Sequence, residues 1–316
     1  MRLVSYGVAG AERPGMLDDD DNIVVLDHYF NRLGLPPLDV SSMIGLVPFL
    51  CEDLERELLD PRVVLPAGSV RLGPPVPNPA NIIGIGMNYA RPGRTPARLN
   101  ADGFRTAPPI FSKPRSALVG ACDPVVAPRT SHALDYEVEI AIVIGKGGSR
   151  IRAEHAGAHI GGFMVVNDMT AHDVMMNTDD LSNRMAQPAM KAQLLVGKGF
   201  DGFLPCGPWL VTADAGWAQE RTLSLSVNGE LRQSDTTAAM ILSFEEVIEL
   251  ISRFTTLRTG DIIMTGTPLG GAITMESPNY LTPGDLVSAA VGPDLGALST
   301  EIVASTDNEN SREAAK

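Results

Sequence analysis

Apolar positions along the chain recur in short runs broken by Gly, Pro and Asp, the rhythm of strands joined by tight turns rather than of long helices. Runs at 82–86, 136–144, 162–167, 208–212, 223–227, 261–265 and 286–291 predict strands, several of them bounded by Gly-Asp or Pro-Gly-Asp. Upstream, Arg2 to Tyr6 alternates like a strand, Pro14-Gly15 predicts a turn, and Ile23 to Leu26 resumes apolar character after the four aspartates Asp18 to Asp21. That segment reads as a hairpin with a solvated acidic tip, since it lacks the Gly and distal Glu of a calcium loop. Helical spacing shows at two places. Ser41 and Ser42 can cap a helix that Pro48 restarts, with Phe49, Leu50, Leu54 and Leu58 near one face. Ser243 with Glu246 makes a capping box for a second helix, in which Phe244, Val247, Ile248, Ile251 and Phe254 recur at three- and four-residue steps.

Segment 61–79 is rich in Pro and Gly, and Pro74, Pro75, Pro77 and Pro79 predict an extended connector because they cannot sit in paired central strands. The expected organisation is a small N-terminal α+β domain over 1–77, a β-rich α+β domain over 78–304 and a disordered polar tail over 305–316. Among 316 residues, 31 Gly and 24 Pro against only 5% aromatics suit many short strands and exclude a long-helix bundle. The net charge of −13 argues against nucleic acid and acidic membrane surfaces as partners. Cys51, Cys122 and Cys206 lack any Cys-x-x-Cys spacing and predict buried small hydrophobes in a reducing compartment. No apolar stretch is long enough to span a bilayer, and Glu12, Arg13 and Pro14 interrupt any signal-peptide core. The expected protein is soluble and cytoplasmic.

The candidate chemistry sits in Asp135-Tyr136-Glu137-Val138-Glu139-Ile140-Ala141-Ile142-Val143-Ile144. In a strand, Val138, Ile140, Ile142 and Ile144 share one face, and Glu137 and Glu139 share the other, roughly 7 Å apart. Two neighbouring carboxylates in so apolar a strand repel unless a cation lies between them. Asp168 ends the apolar run Gly162 to Asn167 and is the third expected ligand. Three carboxylates without an adjacent His or Cys ligand form an oxygen-only site that favours Mg²⁺, Mn²⁺ or Ca²⁺. Spacing alone fits equally a solvated outer face of an edge strand.

The order of motifs is similar, nearly end to end, to the fumarylacetoacetate hydrolase family. It includes Arg-Pro-Gly at 13–15, Gly-Met-Asn-Tyr at 86–89, Phe-Ser-Lys-Pro at 111–114, Glu-x-Glu at 137–139 and Asn-Asp at 167–168. It continues through 198–203 (Lys-Gly-Phe-Asp-Gly-Phe), 205–209 (Pro-Cys-Gly-Pro-Trp), 228–233 (Asn-Gly-Glu-Leu-Arg-Gln), 265–268 (Thr-Gly-Thr-Pro) and 283–285 (Pro-Gly-Asp). Each motif is weak alone; so many in order are specific. The resemblance implies a mixed β-roll catalytic domain, a homodimer, and a divalent ion on Glu137, Glu139 and Asp168. It implies action on a small carboxylate, a 2-oxo acid or 1,3-diketone of acylpyruvate type, through an enolate stabilised by the ion, with C–C bond hydrolysis as the default.

The surrounding residues follow from the same resemblance. Lys198 is expected near substrate and ion, supplying the positive charge that an anionic substrate needs. Asn88, Tyr89, Lys113, Gly266 and Thr267 are expected to bind substrate, with Gly266 permitting close backbone approach. One departure bears on the reaction: Pro92 and Thr95 stand where the resemblance leads one to expect a His and Glu that activate water. Its absence favours decarboxylation, isomerisation (tautomerisation) or a biosynthetic tailoring step as alternatives, with an inactive binding protein as a further one. His172 is a candidate replacement base; His132, His155 and His159 have weaker claims. Two segments read as lids: Arg91 to Pro109, carrying Arg91, Arg94, Arg98 and Arg105, and 169–195, carrying Met169, Met175, Met176, Met185 and Met190. The methionines suit a substrate bulkier than pyruvate and serve equally as a dimer contact.

Overall fold

Strand formation follows the short apolar runs, and two sheets result. In the computed structural model, residues 1–36, 38–59, 61–90, 108–176, 193–213 and 220–306 are described. The large sheet orders its strands as β4 (Val64–Leu65), β3 (Ile23–Val25), β2 (Arg13–Leu17), β1 (Arg2–Tyr6), β13 (Leu204–Thr212), β11 (Ile160–Asn167), β10 (Val138–Ile144), β16 (Ile262–Met264), β5 (Ile82–Ile85) and β6 (Ile110–Ser112). A short strand, β7 (Leu118–Val119), pairs parallel to β13. The second sheet runs β15 (Glu230–Thr236), β14 (Thr222–Val227), β17 (Leu286–Val291), β18 (Ala297–Ala304) and β8 (Val125–Ala127). A separate two-stranded ladder joins β9 (Leu134–Asp135) to β12 (Thr170–Ala171). This is the β-rich α+β architecture expected, and every strand predicted beyond residue 80 forms at or near its predicted range.

The central strand β10 departs from the expected pattern of one apolar and one acidic face. All seven of its residues are buried. Val138, Ile140, Ile142 and Ile144 enter a core shared with the second sheet, while Ala141 and Val143, on the acids' side, enter another. The acids occupy only the start of that side; farther along it becomes core. Each fully buried Ile contributes about 1.5–3 kcal/mol, so β10 is an anchor held from both sides. The first core also takes Val247, Ile248, Leu250 and Ile251 of a helix over Phe244–Ser252. The second is covered by α1 (Asp27–Arg32), α2 (Val40–Met43) and α3 (Val47–Leu59) through Tyr29, Phe30, Val40, Met43 and Leu54. Three further short helices follow in sequence, α4 (Ala153–Ala156), α5 (His172–Met176) and α6 (Leu194–Lys198), and the helix Phe244–Ser252 is α7.

Several local expectations change. Pro14 and Gly15 lie within β2, not at a turn, with Gly15 opposite both Val4 and Val25. A Cβ on Gly15 would come within 2.6 Å of Ile23 Cγ2, so the glycine serves strand packing. The acidic tip does form between β2 and β3, where Asp18 Oδ1 accepts the amides of Asp20 and Asn22. Asp39, not Ser41 or Ser42, caps α2. Phe49 is 84% exposed, and Phe254 lies past the end of α7 and is half exposed, so neither joins its predicted apolar face. Of the cysteines only Cys206 is buried; Cys51 is partly exposed and Cys122 exposed, and none of the three is in a disulfide. A boundary at residue 77 stays a proposal about chain organisation. β1 is hydrogen-bonded to β13, and Leu3, Met16 and Val24 share a core with Val143 and Met164.

Candidate active site

Glu137 and Glu139 stand two residues apart at the start of β10, so the pleat sends both side chains to the same side. The neighbouring strand brings the third acid. Asp168 N donates to Glu137 O at 2.8 Å, and Asn167 Oδ1 accepts from Glu137 N at 2.9 Å. These bonds close the end of β11 onto the start of β10. Three carboxylate oxygens, one each from Glu137, Glu139 and Asp168, then lie within 4.8 Å of one another. Glu139 and Asp168 are buried and Glu137 is partly exposed, which removes the solvated-edge alternative.

Two ammonium groups offset part of this charge. Lys113 Nζ lies 2.8 Å from Asp168 Oδ1 and donates to the carbonyls of Met169, Lys198 and Phe203 at 3.0, 2.6 and 2.8 Å. Lys198 Nζ, at the end of α6, donates to Glu137 Oε2 at 2.9 Å, Asp168 Oδ2 at 2.6 Å and Thr170 Oγ1 at 2.7 Å. Burial raises the Asp168 carboxyl, but Lys113 and Lys198 outweigh it and hold it below the usual range. Burial pulls Lys113 down to about 8. For Lys198 burial acts in the same sense, yet Asp168 and Glu137 prevail and raise it, so it stays protonated. Glu139 is pushed well above the carboxylate range by burial, then by repulsion from Asp168 and Glu137; the amide of Gly266, donating to Oε2 at 2.7 Å, only moderates this.

The donor set therefore fits a divalent ion. It is oxygen-only, and it carries one more negative charge than its two ammonium groups match, a surplus expressed at Glu139. A cavity of about 500 Å³ opens onto it. Glu137, Glu139, His172 and Lys198 contribute its ionisable lining among the described residues, and Phe111, Met175, Met176, Leu194, Leu269 and Ile273 contribute apolar walls.

The expected substrate-binding residues divide. Thr267 lines the cavity, but its hydroxyl donates to Val138 O and accepts from Gln233 Nε2, both at 2.9 Å. Asn88 donates to the carbonyls of Leu242 and Thr265 and accepts from Leu242 N, so its amide ties loops together rather than facing a ligand. Tyr89 is buried in the core, its hydroxyl pushed up chiefly by burial and next by Glu139. Lys113 supports Asp168 from beneath. Gly266 adopts φ of +94°, and a Cβ there would meet Asn88 Cβ at 2.9 Å, so both conformation and space demand glycine. Of the lid methionines, Met169 is core, Met175 and Met176 line the cavity, and Met185 and Met190 lie outside the described residues. Arg91, Pro92, Arg94, Thr95, Arg98, Arg105 and the tail beyond 306 also lie outside them.

Sequence reasoning missed three residues. Gln233 locks the Thr267 loop to β10 by accepting from Val138 N, Thr170 holds Lys198, and Asp135 pairs with His172 at 3.0 Å. Asp135 had a visible signal, an acid directly before the Glu-x-Glu strand, and Gln233 closes the 228–233 motif, whereas Thr170 had none.

The fumarylacetoacetate (FAA) hydrolase C-terminal model matches residues 81–303. The chain belongs to the fumarylacetoacetate hydrolase family. It is an enzyme of that family. The mitochondrial oxaloacetate tautomerase FAHD2B of Bos taurus is 39% identical over 252 residues, 79% of this chain and 75% of the relative. A probable 2-hydroxyhepta-2,4-diene-1,7-dioate isomerase from Mycobacterium abscessus is 37% identical with a TM-score of 0.77, covering 97% of this chain and all of that one. Maleylpyruvate hydrolase from Sphingobium sp. SYK-6, in complex with manganese(II) and pyruvate, is 27% identical with a TM-score of 0.76, covering 97% and 100%. These relatives thus include isomerases as well as a hydrolase, each named for a small carboxylate.

Proposed function

We propose that this chain interconverts the keto and enol forms of a small 2-oxo acid with a divalent ion held by Glu137, Glu139 and Asp168. The observation that carries the reading is the convergence of three carboxylate oxygens within 4.8 Å at a largely apolar cavity. Similarity to oxaloacetate tautomerases favours this reading over C–C bond hydrolysis. When bound, the ion supplies a fixed positive charge that lowers the energy of negative charge developing on a carbonyl oxygen. The chain's residues set the balance around it. Lys198 and Lys113 leave the carboxylates with one surplus negative charge, so a divalent ion makes the site net positive and receptive to a carboxylate. The apolar walls exclude water from the reacting carbons.

Enolic oxaloacetate absorbs in the ultraviolet, so its decay with Mg²⁺ or Mn²⁺ checks the proposal directly. Acceleration by the wild-type protein that vanishes on chelation is the expected result; an undiminished rate in excess chelator would sink it. C–C bond hydrolysis is the second reading, favoured by likeness to the maleylpyruvate hydrolase, and incorporation of solvent oxygen into product would identify it. Mg²⁺ as the native ion, a homodimer and a cytoplasmic location complete the proposal. Three cysteines without a disulfide suit a reducing compartment, and light scattering checks the dimer. Among the described residues, no helix is long and apolar enough to cross a membrane.

A further inference from the structure

We infer that His172 carries the proton in this reaction and that Asp135 is its positioning residue, an assignment that rests on the tautomerase reading and names its acid–base group. Of the four ionisable side chains lining the described cavity, Glu137 and Glu139 belong to the ion site, and Lys198 has all three N–H groups engaged by Glu137, Asp168 and Thr170. His172 is the one left for proton exchange.

Its surroundings are built for that task. His172 is 4% exposed and follows the β9–β12 ladder, in which Thr170 stands opposite Asp135. Its backbone amide donates to Ala133 O at 3.0 Å, which places the ring beside Asp135. His172 Nε2 lies 3.0 Å from Asp135 Oδ2. Asp135 is fully buried and is held by three amides: Tyr136 N and Ala272 N donate to Oδ1 at 2.8 and 2.7 Å, and Ile273 N donates to Oδ2 at 2.9 Å. That carboxylate orients the imidazole, fixes Nε2 as the protonated nitrogen and offsets the charge that appears when the ring takes up a second proton. The other nitrogen, Nδ1, is buried with no hydrogen-bond partner, so it meets substrate when the ring shifts toward the cavity that His172 lines.

The step balances without a co-reactant. Nδ1 takes a proton from the carbon beside the substrate carbonyl, the C–H electron pair becomes the C=C bond, and the carbonyl π pair moves to oxygen. The imidazolium returns the proton to that oxygen to complete the enol, and ketonisation is the reverse.

The test uses the full chain with Mn²⁺, oxaloacetate as probe, and three variants. His172→Gln is expected to lower kcat for tautomerisation by 10²-fold or more, the usual range for general acid–base groups, with Mn²⁺ affinity within about threefold of wild type. Asp135→Asn is expected to lower kcat at least tenfold with little change in KM and to displace the acidic limb of the kcat–pH profile, which a purely structural role would not do. Partial recovery of His172→Ala by added imidazole supports the assignment further. An active wild type with an equally active His172→Gln overturns the assignment alone. Should His172→Gln fail to fold, an Asp135→Asn variant with unaltered kcat and pH profile overturns it instead. A wild type inert toward both tautomers overturns the tautomerase reading and this assignment together.

Discussion

At the scale of single residues, the site is an exercise in charge compensation under burial. Lys113 is the clearest case, because its ammonium meets one carboxylate and three carbonyls and faces no substrate. Removing one partner from a buried pair leaves the other uncompensated, at a cost of about 3–5 kcal/mol. Lys113→Met is therefore expected to lower the unfolding free energy by about that amount in a urea titration, and to weaken Mn²⁺ binding because Asp168 loses its support. A variant as stable as wild type would mean that the Asp168 charge is relieved elsewhere. Glycine at 266 belongs to this scale too: its positive φ and its amide bond to Glu139 Oε2 are two aspects of one tight turn.

Elements act as brackets for these residues. β10 and β11 hold the acids in register, the β9–β12 ladder aligns Asp135 with the segment leading to His172, and α6 delivers Lys198. α7 packs Val247, Ile248, Leu250 and Ile251 into the core that also receives the apolar face of β10. Its capping box is complete, with Ser243 Oγ accepting from Glu246 N and Glu246 Oε2 accepting from Ser243 N. Ser243→Ala is expected to lower stability by about 1 kcal/mol while leaving kcat for the proposed tautomerisation unchanged, since α7 supports the core and not the cavity. Parallel denaturation and rate measurements check both halves of that expectation.

For the whole molecule, an ion that binds only the folded chain stabilises it by mass action. At one hundred times its dissociation constant, Mn²⁺ is expected to add about 2.7 kcal/mol, seen as a raised melting temperature by calorimetry. Glu139→Ala should abolish the rise. The effect should also shrink as pH falls: Glu139 holds its proton above the ordinary carboxylate range when no ion is bound, binding must release that proton, and proton and ion therefore compete.

Much of this was legible in the order of residues. Strand positions, the α7 cap and the pairing of Glu137 with Glu139 follow from local rules of period two and of helix capping, which act over a few neighbours. The three acids stand out as candidate ligands because strand alternation and a strand-end Asp are local signals, but spacing alone fits a solvated edge equally, and it was the family resemblance that chose between the two. Tertiary structure alone decided that the acids' side of β10 continues as core, that Lys113 serves Asp168 rather than substrate, that Asn88 and Thr267 tie loops together, and that Asp135 faces His172. Those outcomes depend on which distant segments the sheet brings within hydrogen-bond reach, 37 residues apart for Asp135 and His172. Periodicity carries no information about such meetings, because the pairing of strands is settled by burial and hydrogen bonding across the whole fold.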